Sequence, residues 1–116
     1  MMYRQGTFVS YKINMKIVNT EEFNELRKNG KVVVDFFADW CGPCKMLSPV
    51  LEEVGKEYPD VSFVKVNVDE NEELAAEFGI MSIPAVFMLK DGEVVNSFLG
   101  FNQERFLRDQ LNKAFR

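Results

Sequence analysis

The sequence predicts an α/β domain of three layers, in which helices cover both faces of a mixed sheet of five strands. Segments typical of strands alternate with segments of helical period, in the order β-α-β-α-β-α-β-β-α. Residues 32–38 are apolar on both faces, as in a central strand that is covered on both sides. The pair Asp91-Gly92 is a strong hairpin turn signal, so the last two strands should be antiparallel.

The first third of the chain is expected to hold two strands and one helix. Residues 15–18 are a short strand candidate. Asn19 can cap the helix that follows, with Glu22 as its capping-box partner three residues later. That helix is predicted to stop at Gly30, because glycine readily adopts the backbone conformation of a helix end. The central strand 32–38 comes next.

The middle of the chain predicts two further helices around a strand. Residues 45–58 have a helical apolar period, and Pro49 inside this helix should kink it. A strand is predicted over 61–68, and a short helix over 71–78 closed by Gly79. The inward side chains of the longer helix are Leu47, Leu51, Val54 and Tyr58.

The last third predicts the hairpin and a closing helix. Strands over 85–89 and 94–98 flank the turn. Asn102 can cap a final helix over 103–115. The inner stripe of that helix is Leu107, Leu111 and Ala114.

Composition limits both the architecture and the partners. A chain of 116 residues with 47% hydrophobic residues fits one domain with a single core. Two cysteines are too few for a disulfide scaffold. A formal charge of −4 without a cluster of basic residues argues against nucleic acid as a partner. No apolar run approaches the roughly 20 residues of a membrane span, so no membrane partner is expected.

Residues 1–14 are expected to be a flexible extension ahead of a domain over 15–116. The segment lacks the apolar stretch of a secretory signal. It also lacks acidic residues, a weak similarity to an organellar transit peptide. An upstream translation start or a cloning remnant explains it more simply, and we prefer that interpretation.

The two cysteines, Cys41 and Cys44, are three residues apart between the central strand and a helix. This spacing places both side chains on one face within about one turn, as thiol–disulfide exchange requires. The chain has no histidine, which excludes imidazole-activated nucleophiles and histidine metal sites. A structural zinc site needs four ligands, and two thiolates supply only half of them unless two chains share the ion. Activation of Cys41 must therefore come from the unpaired amides and positive end of the helix, which favour thiolate.

Two segments carry a resemblance to a known family. The stretch VDFFADWCGPCK at 34–45 and the stretch GIMSIP at 79–84 closely resemble thioredoxins. The resemblance covers the chain from about residue 15 and implies the thioredoxin fold. It implies a protein-disulfide reductase in which Cys41 attacks and Cys44 resolves the mixed disulfide. Gly42 and Pro43 between them carry no positive charge, which favours a reductant over an oxidant.

Asp35 is the second informative residue. A carboxylate within an apolar strand is costly to bury, so desolvation should raise its pKa. By resemblance, Asp35 shuttles a proton to or from Cys44, and Lys65 on the next strand pairs with it. The alternatives are a solvent-facing Asp35 and a solvated Lys65.

The substrate surface is also inferred from the resemblance. It implies a cis Ile83-Pro84 bond beside the disulfide, with the Ile83 backbone pairing to an extended substrate segment. An apolar docking patch around the sulfurs is expected to comprise Trp40, Gly42, Pro43, Val68, Ile83, Leu99 and Gly100. Val68 and Leu99 could equally be ordinary core residues. Phe37 departs from the family, because many thioredoxins have a tryptophan there, and the site could be more loosely packed as a result.

The resemblance further implies the partners and the setting. Disulfide-containing proteins are the substrates, and thioredoxin reductase, a flavoenzyme fed by NADPH, recharges the disulfide. The chain has no glycine-rich dinucleotide fingerprint and should bind no cofactor. We expect a cytoplasmic monomer active in electron transport and cell redox homeostasis. The alternative is a redox-switched binding subunit without catalytic turnover.

Overall fold

The computed structural model describes residues 15–116, and the predicted extension at 1–14 lies outside them. The elements follow the predicted order of strands and helices. They are β1 (Lys16–Ile17), α1 (Thr20–Leu26), β2 (Lys31–Phe37), α2 (Gly42–Gly55), β3 (Val61–Asn67), α3 (Glu72–Glu77), β4 (Ala85–Lys90), β5 (Glu93–Leu99) and α4 (Glu104–Phe115).

The five strands form one mixed sheet in the order β1-β3-β2-β4-β5. Strands β1, β2 and β3 are parallel, whereas β4 is antiparallel to both β2 and β5. The predicted central strand is therefore β2, which pairs on both edges and is buried from Val32 to Phe37. Helices α2 and α4 cover one face with Leu47, Leu51, Leu107 and Leu111, and α1 and α3 cover the other with Phe23 and Leu74.

The hairpin and the first helix cap are as predicted. Asp91 and Gly92 have φ angles of 50° and 88°, the left-handed pair that a tight two-residue turn needs. Asn19 accepts the N–H of Glu22 at 2.8 Å, and the Glu22 side chain accepts the N–H of Asn19 at 2.9 Å. This reciprocal pair fixes where α1 begins.

Several helix bounds differ from those predicted. Helix α1 ends at Leu26, and Gly30 instead lies in the turn before β2, where its N–H donates to Asp91 Oδ1 at 2.7 Å. Helix α2 ends at Gly55 because the chain tightens into a turn, shown by the N–H of Tyr58 donating to the Gly55 carbonyl three residues back at 3.0 Å. The N-cap position of α4 is Gln103 rather than Asn102, and the Gln103 side chain makes no capping hydrogen bond.

Candidate active site

Cys41 and Cys44 form a disulfide at the N-terminus of α2, with their Cα atoms 5.3 Å apart. Cys41 is the N-cap residue, with an extended backbone, and its sulfur accepts the N–H of Cys44 at 3.2 Å. The helix begins at Gly42, so Pro43 is its second residue. The missing N–H of proline costs little there, because the first-turn amides have no helical partner.

Both cysteines are buried. Cys41 is 4% exposed and Cys44 2%, so the two sulfurs are covered to a similar extent in the oxidised protein. Phe37 at the end of β2 and the following Ala38 belong to one buried cluster with the two cysteines. The carbonyl oxygen of Ile83 lies 3.9 Å from the Cys41 sulfur.

The loop before β4 places backbone groups beside the disulfide. The Ile83-Pro84 bond is cis, as the family resemblance implied, and Pro84 is buried. Its carbonyl accepts the N–H of Gly100 at 2.8 Å, which ties the end of β5 to this loop. Gly100 has a φ of 83°, a conformation that other residues rarely adopt.

A groove of about 340 Å³ opens next to the disulfide. Trp40 and Met81, which both line the groove, are strongly exposed apolar residues, at 70% and 97%. Val68 lines the groove and also packs against the buried cluster that holds the two cysteines. The full lining is Trp40, Val68, Ala75, Ile80, Met81, Ser82 and Ile83.

Four members of the predicted patch lie outside that groove. Leu99 is 62% exposed, so it is not a core residue. Gly42 and Pro43 are exposed on the first turn of α2, and Gly100 is half-buried after β5. Met81 was not predicted for the patch, although it lies within the GIMSIP stretch that carries the family resemblance.

The Trp40 ring is held by Asp69, a partner that was not predicted. Its indole Nε1–H donates to Asp69 Oδ2 at 2.9 Å, and the N–H of Asp69 donates to Asn67 Oδ1 at 2.8 Å. Asn67 is the last residue of β3 and pairs with Phe37 in the register. A usable signal was present, because parallel strands β2 and β3 end at the same edge of the sheet, which brings the residues after them together.

Asp35 is fully buried on β2, at 0% exposure. Within the described part of the chain, neither carboxylate oxygen has a hydrogen-bond partner. Burial raises the pKa of Asp35 to about 7, and the positive charge of Lys65 opposes that rise. The prediction of a raised pKa is confirmed, and the solvent-facing alternative is wrong.

Lys65 is the direct neighbour of Asp35 across the parallel β2–β3 pair. Its Nζ atom lies 4.4 Å from the centroid of the Phe37 ring. A second cavity of about 200 Å³ on this side reaches Cys44. The residues lining it are Ile17, Phe37, Ala38, Asp39, Cys44, Lys45 and Lys65.

Two further features of residues 15–116 concern metals and membranes. No three histidine, cysteine, aspartate or glutamate side chains in this range are grouped so that they could hold a metal ion. None of the helices in the same range has the length and apolar character needed to cross a membrane.

A disulfide that closes a single helical turn beside an open apolar groove is typical of dithiol–disulfide oxidoreductases rather than of structural cross-links. The family model for thioredoxin matches residues 14–113. The chain therefore belongs to the thioredoxin family. It is a protein dithiol–disulfide oxidoreductase, and in general such proteins act on disulfide-containing proteins and are paired with a reductase.

Individual relatives agree with the family match. The chain is 48% identical over 94 residues to a thioredoxin of Bacillus subtilis, covering 80% of this chain and 90% of that protein. It is 42% identical over 99 residues to a thioredoxin of Chlamydia pneumoniae, covering 85% and 97%. The structure of Plasmodium falciparum thioredoxin aligns with a TM-score of 0.79 at 40% identity, covering 85% of this chain and 98% of that one.

Proposed function

We propose that Cys41 is the attacking thiol and Cys44 the resolving thiol of a protein-disulfide reductase. The observation that carries this assignment is the N-cap position of Cys41, whose sulfur accepts the N–H of Cys44 at 3.2 Å. Such a donor, together with the positive end of α2, stabilises a thiolate on Cys41 in the reduced protein. Cys44 lies inside the first turn and lacks the N-cap position.

In the first half-reaction, the Cys41 thiolate attacks one sulfur of a substrate disulfide. A bond forms between Cys41 and that sulfur, the substrate S–S bond breaks, and the other substrate sulfur leaves as a thiolate. That thiolate takes a proton from solvent. The product is a mixed disulfide between Cys41 and the substrate.

In the second half-reaction, Cys44 attacks the Cys41 sulfur. The thiol proton of Cys44 passes to the carboxylate of Asp35, the Cys41–Cys44 disulfide forms, and the second substrate thiolate is released and takes up a proton. Two electrons have moved from the dithiol to the substrate. The pKa of Asp35 near 7 suits a group that must both accept and release a proton at neutral pH.

The groove is proposed to seat the substrate segment that carries the disulfide. An extended segment would pair with the backbone of Ile83, next to the Cys41 sulfur, as an added strand. Trp40 and Val68 offer apolar contact from one side of this seat. Further contacts at its rim are proposed for Gly42, Pro43, Pro84, Leu99 and Gly100.

The cycle closes when an external reductase reduces the Cys41–Cys44 disulfide. By family relationship we assign this step to thioredoxin reductase, whose flavin and NADPH stay on that enzyme, while this chain binds no cofactor. We further propose that the chain acts as a cytoplasmic monomer in electron transport and redox homeostasis, with neither nucleic acid nor membrane as a partner.

Trapping experiments test the assignment of the two thiols. In Cys44→Ser, a substrate such as insulin should accumulate as a mixed disulfide on Cys41, detected by mass spectrometry. Cys41→Ser should trap little substrate. The wild-type protein should accelerate insulin reduction by dithiothreitol over many turnovers. Binding without turnover would instead indicate a redox-switched binding subunit and overturn the proposal.

A further inference from the structure

The aromatic ring of Phe37 contacts the charged side chain of Lys65 close to the active site. Phe37 is only 6% exposed and packs with Ala38 and the two cysteines, so its ring is fixed in place. The Lys65 ammonium lies 4.4 Å from the centroid of that ring. A cation this close to an aromatic face is attracted by the ring's electron density, and more strongly when it is partly removed from water.

The strand geometry brings this contact next to Asp35. Asp35 and Phe37 are two residues apart on β2, so their side chains leave the same face of the sheet. Lys65 pairs directly with Asp35 in the parallel register. A lysine stem is long and flexible, and the cavity beside it would let the ammonium move away from the carboxyl.

We propose that Phe37 is a positioning residue, whose ring holds the ammonium of Lys65 beside Asp35 and at the cavity that reaches Cys44. The proposal rests on the role given above to Asp35 as proton acceptor. A lysine held in this way favours the carboxylate form, which is the form that accepts the Cys44 proton. Phe37 would thus act on the resolving step without touching the substrate.

Few other charges face this site. Asp39, in the loop after β2, and Lys45, on α2, line the same cavity as Lys65. From β4, the residue opposite Asp35 is Val86, which carries no charge. The disulfide does not titrate, so in the oxidised protein no cysteine thiol affects the titration of Asp35, and the effect of Lys65 on it can be measured separately.

The direction of the change in Asp35 titration distinguishes positioning from packing. If the ring only fills space, Phe37→Leu lets water approach the carboxyl, and the Asp35 titration midpoint falls or stays the same. If the ring holds Lys65, the same substitution frees the ammonium, and the midpoint rises. We expect a rise of about 0.5 pH unit, equal to a threefold change in the ratio of the two forms.

The experiment follows the Asp35 carboxyl by NMR in the oxidised full chain across pH 5 to 9. Phe37→Trp keeps an aromatic face and should leave the midpoint in place. With Lys65→Met as the background, Phe37→Leu should no longer raise the midpoint. Phe37→Met, which is closer in volume, provides the same comparison if the leucine variant does not fold. A fall, or an equal rise in both backgrounds, would overturn the proposal.

A kinetic control separates this inference from the proposed function. The resolving step is measured as the loss of a mixed disulfide on Cys41 at several pH values, in wild type and Asp35→Asn. If Asp35→Asn leaves the pH profile unchanged, the proton role of Asp35 fails. If that profile changes as expected but Phe37→Leu does not move the midpoint upward, only the positioning role of Phe37 fails.

Discussion

The indole nitrogen of Trp40 donates a hydrogen bond of 2.9 Å to a carboxylate oxygen of Asp69. Trp40 is 70% exposed, so this bond, rather than packing, fixes the ring beside the groove. The ring adjoins the attacking cysteine in sequence and lines the groove. Its orientation therefore matters for how a substrate disulfide approaches Cys41.

Asp69→Ala should loosen the Trp40 ring and weaken substrate docking. Loss of a hydrogen bond worth about 1 kcal/mol predicts a rise in KM for insulin of about fivefold, with a smaller change in kcat. Trp40 fluorescence should change in the same variant. Asp69→Asn keeps an acceptor oxygen and serves as the control, and an unchanged KM in Asp69→Ala would show that the bond does not assist docking.

Met81→Ser should also raise KM, because Met81 is 97% exposed in the groove and can lose only intermolecular contact. Removing most of an apolar side chain from an interface predicts an effect of about 1 kcal/mol, which is several-fold in KM. Met46→Ser is the matched control, since Met46 is 56% exposed on α2 and does not line the groove. Equal effects of the two substitutions would contradict the assignment of the groove.

Asp35 should make the stability of the oxidised protein depend on pH. Its pKa is about 7 when folded and 3.8 when exposed, so the folded state binds the proton more tightly. The contribution of Asp35 to the free energy of unfolding should therefore fall as the pH rises from about 4 to 7, and it should level off above that. The loss is up to about 4 kcal/mol.

Denaturant titrations of wild type and Asp35→Asn at pH 5 and pH 8 measure this effect. The unfolding free energy of Asp35→Asn relative to wild type should be clearly higher at pH 8 than at pH 5. Curves for the two proteins that stay parallel with pH would mean that Asp35 titrates normally in the folded state.

Asn19→Ala should reduce stability without affecting the chemistry. The substitution removes the acceptor of the 2.8 Å bond that begins α1, on the far side of the sheet from the disulfide. The expected loss is about 1 kcal/mol of unfolding free energy. Insulin reduction at a temperature where the variant is folded should match wild type, and a loss of activity there would contradict the separation of this cap from the site.

Much of the fold could be predicted because local signals and burial agree. The capping box at Asn19 and the turn at Asp91-Gly92 act over three or four residues, so the sequence alone determines them. The predicted end of α1 was wrong because a glycine that ends a helix and a glycine in a turn before a strand look alike in sequence. Gly30 has the positive φ of a helix end, but it serves the turn into β2 and bonds to Asp91, 61 residues away.

Site residues could be predicted where the type of residue and its local sequence reveal its chemistry. Contacts that depend on how two strands align were not predicted. A carboxylate inside an apolar strand identified Asp35, and the cysteine spacing identified the disulfide. The contact of Lys65 with Phe37 requires the alignment of β2 with β3, and the bond from Trp40 to Asp69 requires the ends of both strands to meet. Neither alignment is encoded within one segment.

The central claim is that Cys41, at the N-cap of α2, is the reactive thiolate of the reduced protein. The most direct measurement is the rate of iodoacetamide alkylation of each cysteine between pH 5 and 9, assigned by mass spectrometry. We predict that Cys41 reacts faster than free cysteine near pH 7 and that Cys44 reacts far more slowly. A Cys41 no faster than free cysteine, with Cys44 the more reactive of the two, would contradict the account.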